Sequence, residues 1–239
     1  MSPQSPLEPR NSVSIARSRG EALAWRGRGI VVDLFRFSNT VCALLQSGRR
    51  DVRVYPTPEL ALSASRRSRG HDIFSELDLP VEHYDNSPYE ALRAADPSRP
   101  AFSVTNSGSK AAGALLLAEE VLVGCFANSP ALAAYCAASP KPTLIVPACL
   151  FYDASHVEDL ICARALEAEL GGREAFPEAL QEIHASGRIM DFLAFRPETG
   201  RRDLELILRR GSSGVVPRIR FLAGAGLVDD AAATASGIL

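Results

Sequence analysis

Short apolar runs alternate along this chain with longer stretches in which Ala and Leu recur at helical spacing. The pattern predicts strands near Ile30–Leu34, Val52–Tyr55, Ala101–Thr105, Val121–Cys125 and Leu144–Ala148. Helices are expected to follow at Thr40–Gln46, Glu59–Arg67, Lys110–Ala118, Pro130–Ala138 and Val157–Leu170. Strand-then-helix alternation implies an α/β fold, with a mainly parallel sheet covered by helices on both faces. The rhythm breaks at Gly70–Pro100, where Pro80, Pro88, Pro97 and Pro100 fall among polar residues, as in an excursion or loop layer near a site. Beyond Gly171 the chain is more charged, with helical patterns at Pro177–Ser186 and Ile189–Phe195, a turn at Gly211–Gly214 and a last strand within Val215–Leu222. Residues 1–20 read as a flexible or loosely docked arm and residues 229–239 as a frayed tail. Residues 21–228 then form the α/β domain, with room for two subdomains.

Composition narrows the function classes. The 239 residues carry 26 basic and 28 acidic side chains, a formal charge of −2, which gives no basis for binding nucleic acid or an anionic membrane. No apolar run reaches the length of a membrane span, and the Ser/Pro/Arg-rich start lacks the apolar core of a secretory signal. The five cysteines are odd in number and form no C-x-x-C pair, as expected of buried thiols in a reducing cytoplasm. No H-x-x-x-H pair supports a histidine zinc site. The nucleophile-elbow, P-loop and dinucleotide-binding glycine patterns are absent too.

The candidate chemistry sits at strand ends. The run Gly29–Thr40 passes from β-branched residues into Asp33, then Arg36, Ser38, Asn39 and Thr40, just where a helix should start. In open α/β sheets ligands bind beyond the carboxyl ends of strands, so these groups suit a metal ion or an anion. Thr105–Lys110 (T-N-S-G-S-K) combines small hydroxyl and amide side chains with a glycine, so backbone N–H groups can approach an anion; its plainer reading is an N-cap. Asp85–Glu90 and Phe126–Pro130 each contain Asn-Ser-Pro, a turn that starts a helix with proline in its first turn. Glu158 and Asp159 open the Val157 helix, where the helix dipole favours carboxylates whatever their function. They could also hold a hard cation together with Asp33, although adjacent helical positions point about 100° apart, so at most one faces it squarely.

Taken in order, these clusters resemble the 2-phosphosulfolactate phosphatase family. Its V-V-I-D-V-L-R-A-T-T-T start corresponds to Val31–Thr40, its G-N-S-P turn to Asp85–Pro88, and its T-T-T-N-G-T-R-A loop to Val104–Ala111. Its N-A-S-A segment corresponds to Asn128–Ala131, and its C-A-G…L-E-D stretch to Pro147–Cys149 and Val157–Leu160. The resemblance implies a Mg²⁺-dependent acid phosphatase of α/β architecture acting on a small phosphorylated organic acid, in the family a sulfo-acid. It implies catalytic roles for Asp33, Arg36 and Glu158, and metal ligation by Asp33, Glu76, Glu158 and Asp159. Substrate contacts would come from Ser38, Asn39, Thr40, Asn86, Ser87, Thr105, Asn106, Ser107, Ser109, Lys110 and Asn128. The chain departs from the family pattern: Phe37–Ser38–Asn39–Thr40 replaces A-T-T-T, Ser75–Glu76–Leu77 stands for G-E-R, His83 for an aspartate, Pro147 for a cysteine, and Gly211 for a late aspartate.

The sequence therefore supports a Mg²⁺-dependent phosphatase with a shifted substrate, or a non-catalytic descendant that binds a phosphorylated metabolite or a partner. A haloacid-dehalogenase-type phosphatase ranks lower, because Phe35 stands where the second aspartate of D-x-D belongs. The apolar helices are compatible with a homodimer.

Overall fold

A computed structural model describes residues 12–94 and 96–235. In chain order its elements are β1 (Val13–Ile15), α1 (Arg19–Ala24), β2 (Arg28–Val32), α2 (Phe37–Gln46), β3 (Val52–Val54), α3 (Pro58–Arg67) and β4 (Asp72–Phe74). Next come α4 (Pro88–Arg93), β5 (Ala101–Ser103), α5 (Gly108–Ala114), β6 (Glu120–Val123), α6 (Ser129–Ala138) and β7 (Thr143–Pro147). The last are α7 (Val157–Leu170), α8 (Phe176–Ala185), α9 (Arg188–Phe195), α10 (Gly200–Ile207), β8 (Pro217–Leu222), β9 (Ala225–Asp230) and α11 (Ala231–Ala235).

One nine-stranded sheet runs in the order β1-β7-β2-β6-β8-β9-β3-β5-β4. β1, β7, β2 and β6 are mutually parallel, as are β3, β5 and β4. The antiparallel β8–β9 hairpin joins the two blocks. β2 lies inside the first block, with Ile30 opposite Leu122 and Ile145, and is buried along its whole length. Strands covered on both faces read as continuous β-branched runs rather than alternating ones. Ile30, Val32, Leu122 and Ile145 pack beneath α7, while Val31, Val123 and Val146 face the opposite core with α5.

Three expectations need correction. Residues 12–20 are not a loose arm: β1 pairs with β7 at the sheet edge and α1 follows, N-capped by Ser18, while residues 1–11 lie outside the described residues. The tail is ordered through residue 235, since Asp229 and Asp230 finish β9 and α11 succeeds it; residues 236–239 lie outside the described residues. Gly70–Pro100 does reach a cavity, through Glu76 and Asn86, but it is not loop alone, because it holds edge strand β4 and helix α4. Strand β9 escaped notice because Ala-Gly-Ala-Gly carries little β signal. Its hairpin forms because Ala223 and Gly224 both take positive φ, the backbone that a two-residue turn matching strand twist requires.

Candidate active site

The end of β2 delivers Asp33 to the floor of a cavity of about 430 Å³. Its backbone N–H donates to Ser38 Oγ at 3.0 Å, and its Oδ1 accepts the Phe37 N–H at 3.1 Å, at the start of α2. Its Oδ2 accepts from Ser107 Oγ at 2.6 Å. Ser107 follows β5, in the other parallel block. The hydrogen bond therefore brings the carboxyl ends of the two blocks together. Gly108 permits this meeting: a Cβ there would collide with the Phe37 side chain.

Three further carboxylates crowd Asp33. Glu76 Oε1 accepts the Asn106 N–H at 2.5 Å, while its buried Oε2 accepts no hydrogen bond from the protein. Burial and, more weakly, the Asp33 charge push the Glu76 carboxyl up to about 7 against the pull of the Asn106 N–H. Burial also raises Asp33, offset in part by Ser107 and Phe37 and reinforced by the charge of Glu158. Asp159 is raised well above the usual range by burial, then by Asp33 and Glu158. Its Oδ1 accepts the Leu34 N–H at 2.7 Å.

Arginines complete the wall, and each is matched by acid. Arg36 donates to Asp203 Oδ2 at 2.6 Å and to Asp85 Oδ1 at 2.7 Å. Burial alone would lower its basicity, and those two carboxylates raise it on balance. Asp203, from α10, is wholly buried and also accepts from Ser87 Oγ at 2.6 Å and the Tyr89 N–H at 3.2 Å. Arg188, at the start of α9, donates Nε and Nη2 to the two oxygens of Glu158 at 2.7 and 3.0 Å. Arg196 stands at the rim, its Nε 3.4 Å from Asp85 Oδ2.

Of the residues singled out from sequence, Asp33, Arg36, Glu76, Asn86, Asn106 and Ser107 share this cavity. Others are consumed by the fold. Thr105 and Ser109 bond reciprocally, each backbone N–H donating at 2.9 Å to the other's hydroxyl. Asn128 ties its turn to Cys125, Val123 and Val215. Ser38 supports Asp33 from behind, and Ser87 caps α4. Asn39 donates to the Leu34 carbonyl, while Asn39 Oδ1 and Thr40 Oγ1 are buried without a protein partner. Lys110 is exposed and does not line the cavity, because it points outward from α5. Glu158 and Asp159 lie behind the cavity wall; Glu158 anchors Arg188, so it is not a free ligand. Sequence reasoning missed Asp203, Arg188, Arg196, Phe192 and Phe195, which come from α9 and α10 or their edges, far from any strand-end motif.

A nine-stranded, mostly parallel sheet with a cavity of acids and arginines at its converging strand ends defines an α/β protein. A sequence model of the 2-phosphosulpholactate phosphatase family matches residues 17–219, and the chain belongs to that family. It is 27% identical over 148 residues to a "Probable 2-phosphosulfolactate phosphatase" of Symbiobacterium thermophilum, 60% of this chain and 63% of the relative. Relatives of the same description in Thermoplasma acidophilum (24%, 81% of this chain and 86% of the relative) and Gloeobacter violaceus (27%, 84% and 80%) align over more of the chain. The aligned part thus spans a little under two thirds of the Symbiobacterium relative. No helix among the described residues is long and apolar enough to cross a membrane.

Proposed function

We propose that this protein hydrolyses a small phosphorylated organic acid, 2-phosphosulfolactate or a chemical relative, with Mg²⁺. The observation that carries the reading is Asp33: a buried carboxylate at a strand end, held by Ser107 and the start of α2, on the floor of a cavity shared with Arg36, Asn86 and Asn106. Family membership points the same way.

The donor set fits a divalent cation of a particular kind. Among the described residues no group of three His, Cys, Asp or Glu side chains is placed to hold a metal, so an all-protein cage is not available. Mg²⁺ takes one or two carboxylates and fills its remaining positions with water and substrate phosphate. Asp33 and Glu76 would be those two, since the Glu76 Oε2 lacks a protein partner and the Asp33 charge helps raise the proton affinity of Glu76. Charge balance supports the same conclusion. Arg36 faces two carboxylates and Arg188 clamps Glu158, so neither guanidinium offers uncompensated positive charge to an incoming phosphate. When bound, the cation would supply that charge and lower the pKa of a coordinated water.

The chain's own groups then orient the substrate. Arg36 spends two N–H groups on Asp203 and Asp85, and a guanidinium has five. Asn86 Oδ1 is buried on the cavity wall with no protein partner; with the amide flipped, Nδ2 takes that position and would donate to a phosphoryl oxygen. The five cysteines are free and buried, in keeping with a cytoplasmic enzyme.

The test is phosphate release from 2-phosphosulfolactate and other phosphorylated carboxylic acids, with Mg²⁺ and with chelator. Release that stops in chelator and needs more Mg²⁺ in Glu76→Gln supports both parts. Release indifferent to chelator removes the metal. The saturation of both arginines by acids also favours a second reading, a binding protein without turnover, which tight ligand binding with no phosphate release would establish.

A further inference from the structure

The cavity has two chemical halves. Its floor is the charged set around Asp33. Its mouth is aromatic: Phe35, Phe192, Phe195 and Tyr152 line the same space. On α9, Phe192 and Phe195 stand three residues apart and so share a face. Phe192 is nearly buried, its ring 4.9 Å from Phe35 and 5.4 Å beneath the Arg36 guanidinium carbon. Packing accounts for that ring. It does not account for the next one: Phe195 is 77% exposed, and Tyr152, reaching in from the loop before α7, is 53% exposed. A side chain so open contributes little to the core, while a ring seated against it would be stabilised by area burial and by ring geometry.

We propose that the substrate is a phosphorylated acid whose end away from the phosphate carries a ring-sized apolar group seated between Phe195 and Tyr152. This rests on the phosphatase reading and narrows it. A volume of about 430 Å³ falls in the range of pockets that enclose ligands larger than a three-carbon acid. Arg196, beside Phe195 at the rim and only loosely held by Asp85, is placed to meet the acid group.

The experiment compares two probes that differ only in the ring, the phosphate monoesters of lactate and of 3-phenyllactate. kcat/KM is measured with Mg²⁺ for the wild-type protein, Phe195→Ala and Tyr152→Ala. Both side chains are exposed, so neither variant threatens the fold. The expected result is a preference for the phenyl compound of about tenfold or more, the range a hydrophobic subsite supplies, falling at least severalfold in Phe195→Ala. Equal rates, preference for the lactate ester, or a ratio untouched by both substitutions would overturn the proposal. If neither ester is hydrolysed, phosphate release from 2-phosphosulfolactate decides the phosphatase reading separately, and calorimetric binding of the same two esters decides the subsite. Tighter binding of the phenyl ester that weakens in Phe195→Ala keeps it; equal or absent binding rejects it.

Discussion

The tripeptide Asn-Ser-Pro occurs twice, at Asn86–Pro88 and Asn128–Pro130, and the two copies have opposite fates. Both open a helix with proline in its first turn. At the second copy every polar atom of the asparagine is spent: Asn128 Oδ1 accepts the Cys125 N–H at 3.0 Å, and Nδ2 donates to the Val123 and Val215 carbonyls. At the first copy the Asn86 amide oxygen is buried without a protein partner on the cavity wall, and Ser87 passes its hydroxyl to Asp203, which holds Arg36. The local sequence makes the turn; the neighbours decide whether its polar groups close the fold or are left for a ligand.

Substitutions separate the two turns. The largest effect is expected at Asp203, the wholly buried carboxylate that links Ser87 of the first turn to Arg36. Asp203→Ala leaves a buried guanidinium with one partner and should cost about 3–5 kcal/mol in denaturant unfolding. Asn128→Ala comes next: losing three buried hydrogen bonds should cost roughly 2–3 kcal/mol, with turnover per folded molecule retained. Asn86→Ala should show the inverse pattern, with stability within about 1 kcal/mol of wild type and phosphate release reduced by tenfold or more. Equal stability losses at the two asparagines would erase the distinction.

A pH series sharpens the same contrast. Glu76 is raised from 4.5 to about 7 in the folded protein, so the folded state holds its proton more tightly than the unfolded one. Its contribution is fully present below 4.5 and is lost as pH rises through about 7. Metal-free thermal midpoints should therefore fall across that window, and fall less in Glu76→Gln. Asp33 and Asp159, shifted in the same direction, keep part of the slope. An identical slope in the variant would show that the Glu76 carboxyl is not under that pressure. The smallest effect is expected at Lys110, exposed and outside the cavity: Lys110→Ala should change stability by less than about 0.5 kcal/mol.

Five of the seven parallel strands, β2, β3, β5, β6 and β7, and most helices were legible, the clearest because burial on both faces leaves unbroken apolar runs, as in Ile30–Val32 and Leu144–Val146. β1, β4 and β9 were not. β1 and β4 are three-residue edge strands, and β9 begins Ala-Gly, so little apolar pattern marks them. At the site, Asp33, Arg36, Glu76, Asn86, Asn106 and Ser107 were legible from strand-end motifs and family resemblance. Thr105, Ser109 and Asn128 carry the same residue types, but a hydroxyl that caps a turn and one that faces a ligand look alike in sequence. Asp203 and the α9 residues gave no local signal, because their role depends on two helices folding back over a distant strand end.

Asp33 is the proposed chemical centre of a phosphatase. That role is tested most directly by phosphate release from 2-phosphosulfolactate and related phosphorylated acids with Mg²⁺, comparing wild type with folded Asp33→Asn. The account predicts specific release by the wild-type protein and its loss, by a factor of a hundred or more on the order of what removing one key electrostatic group costs, in the variant. Equal release by both proteins would contradict it.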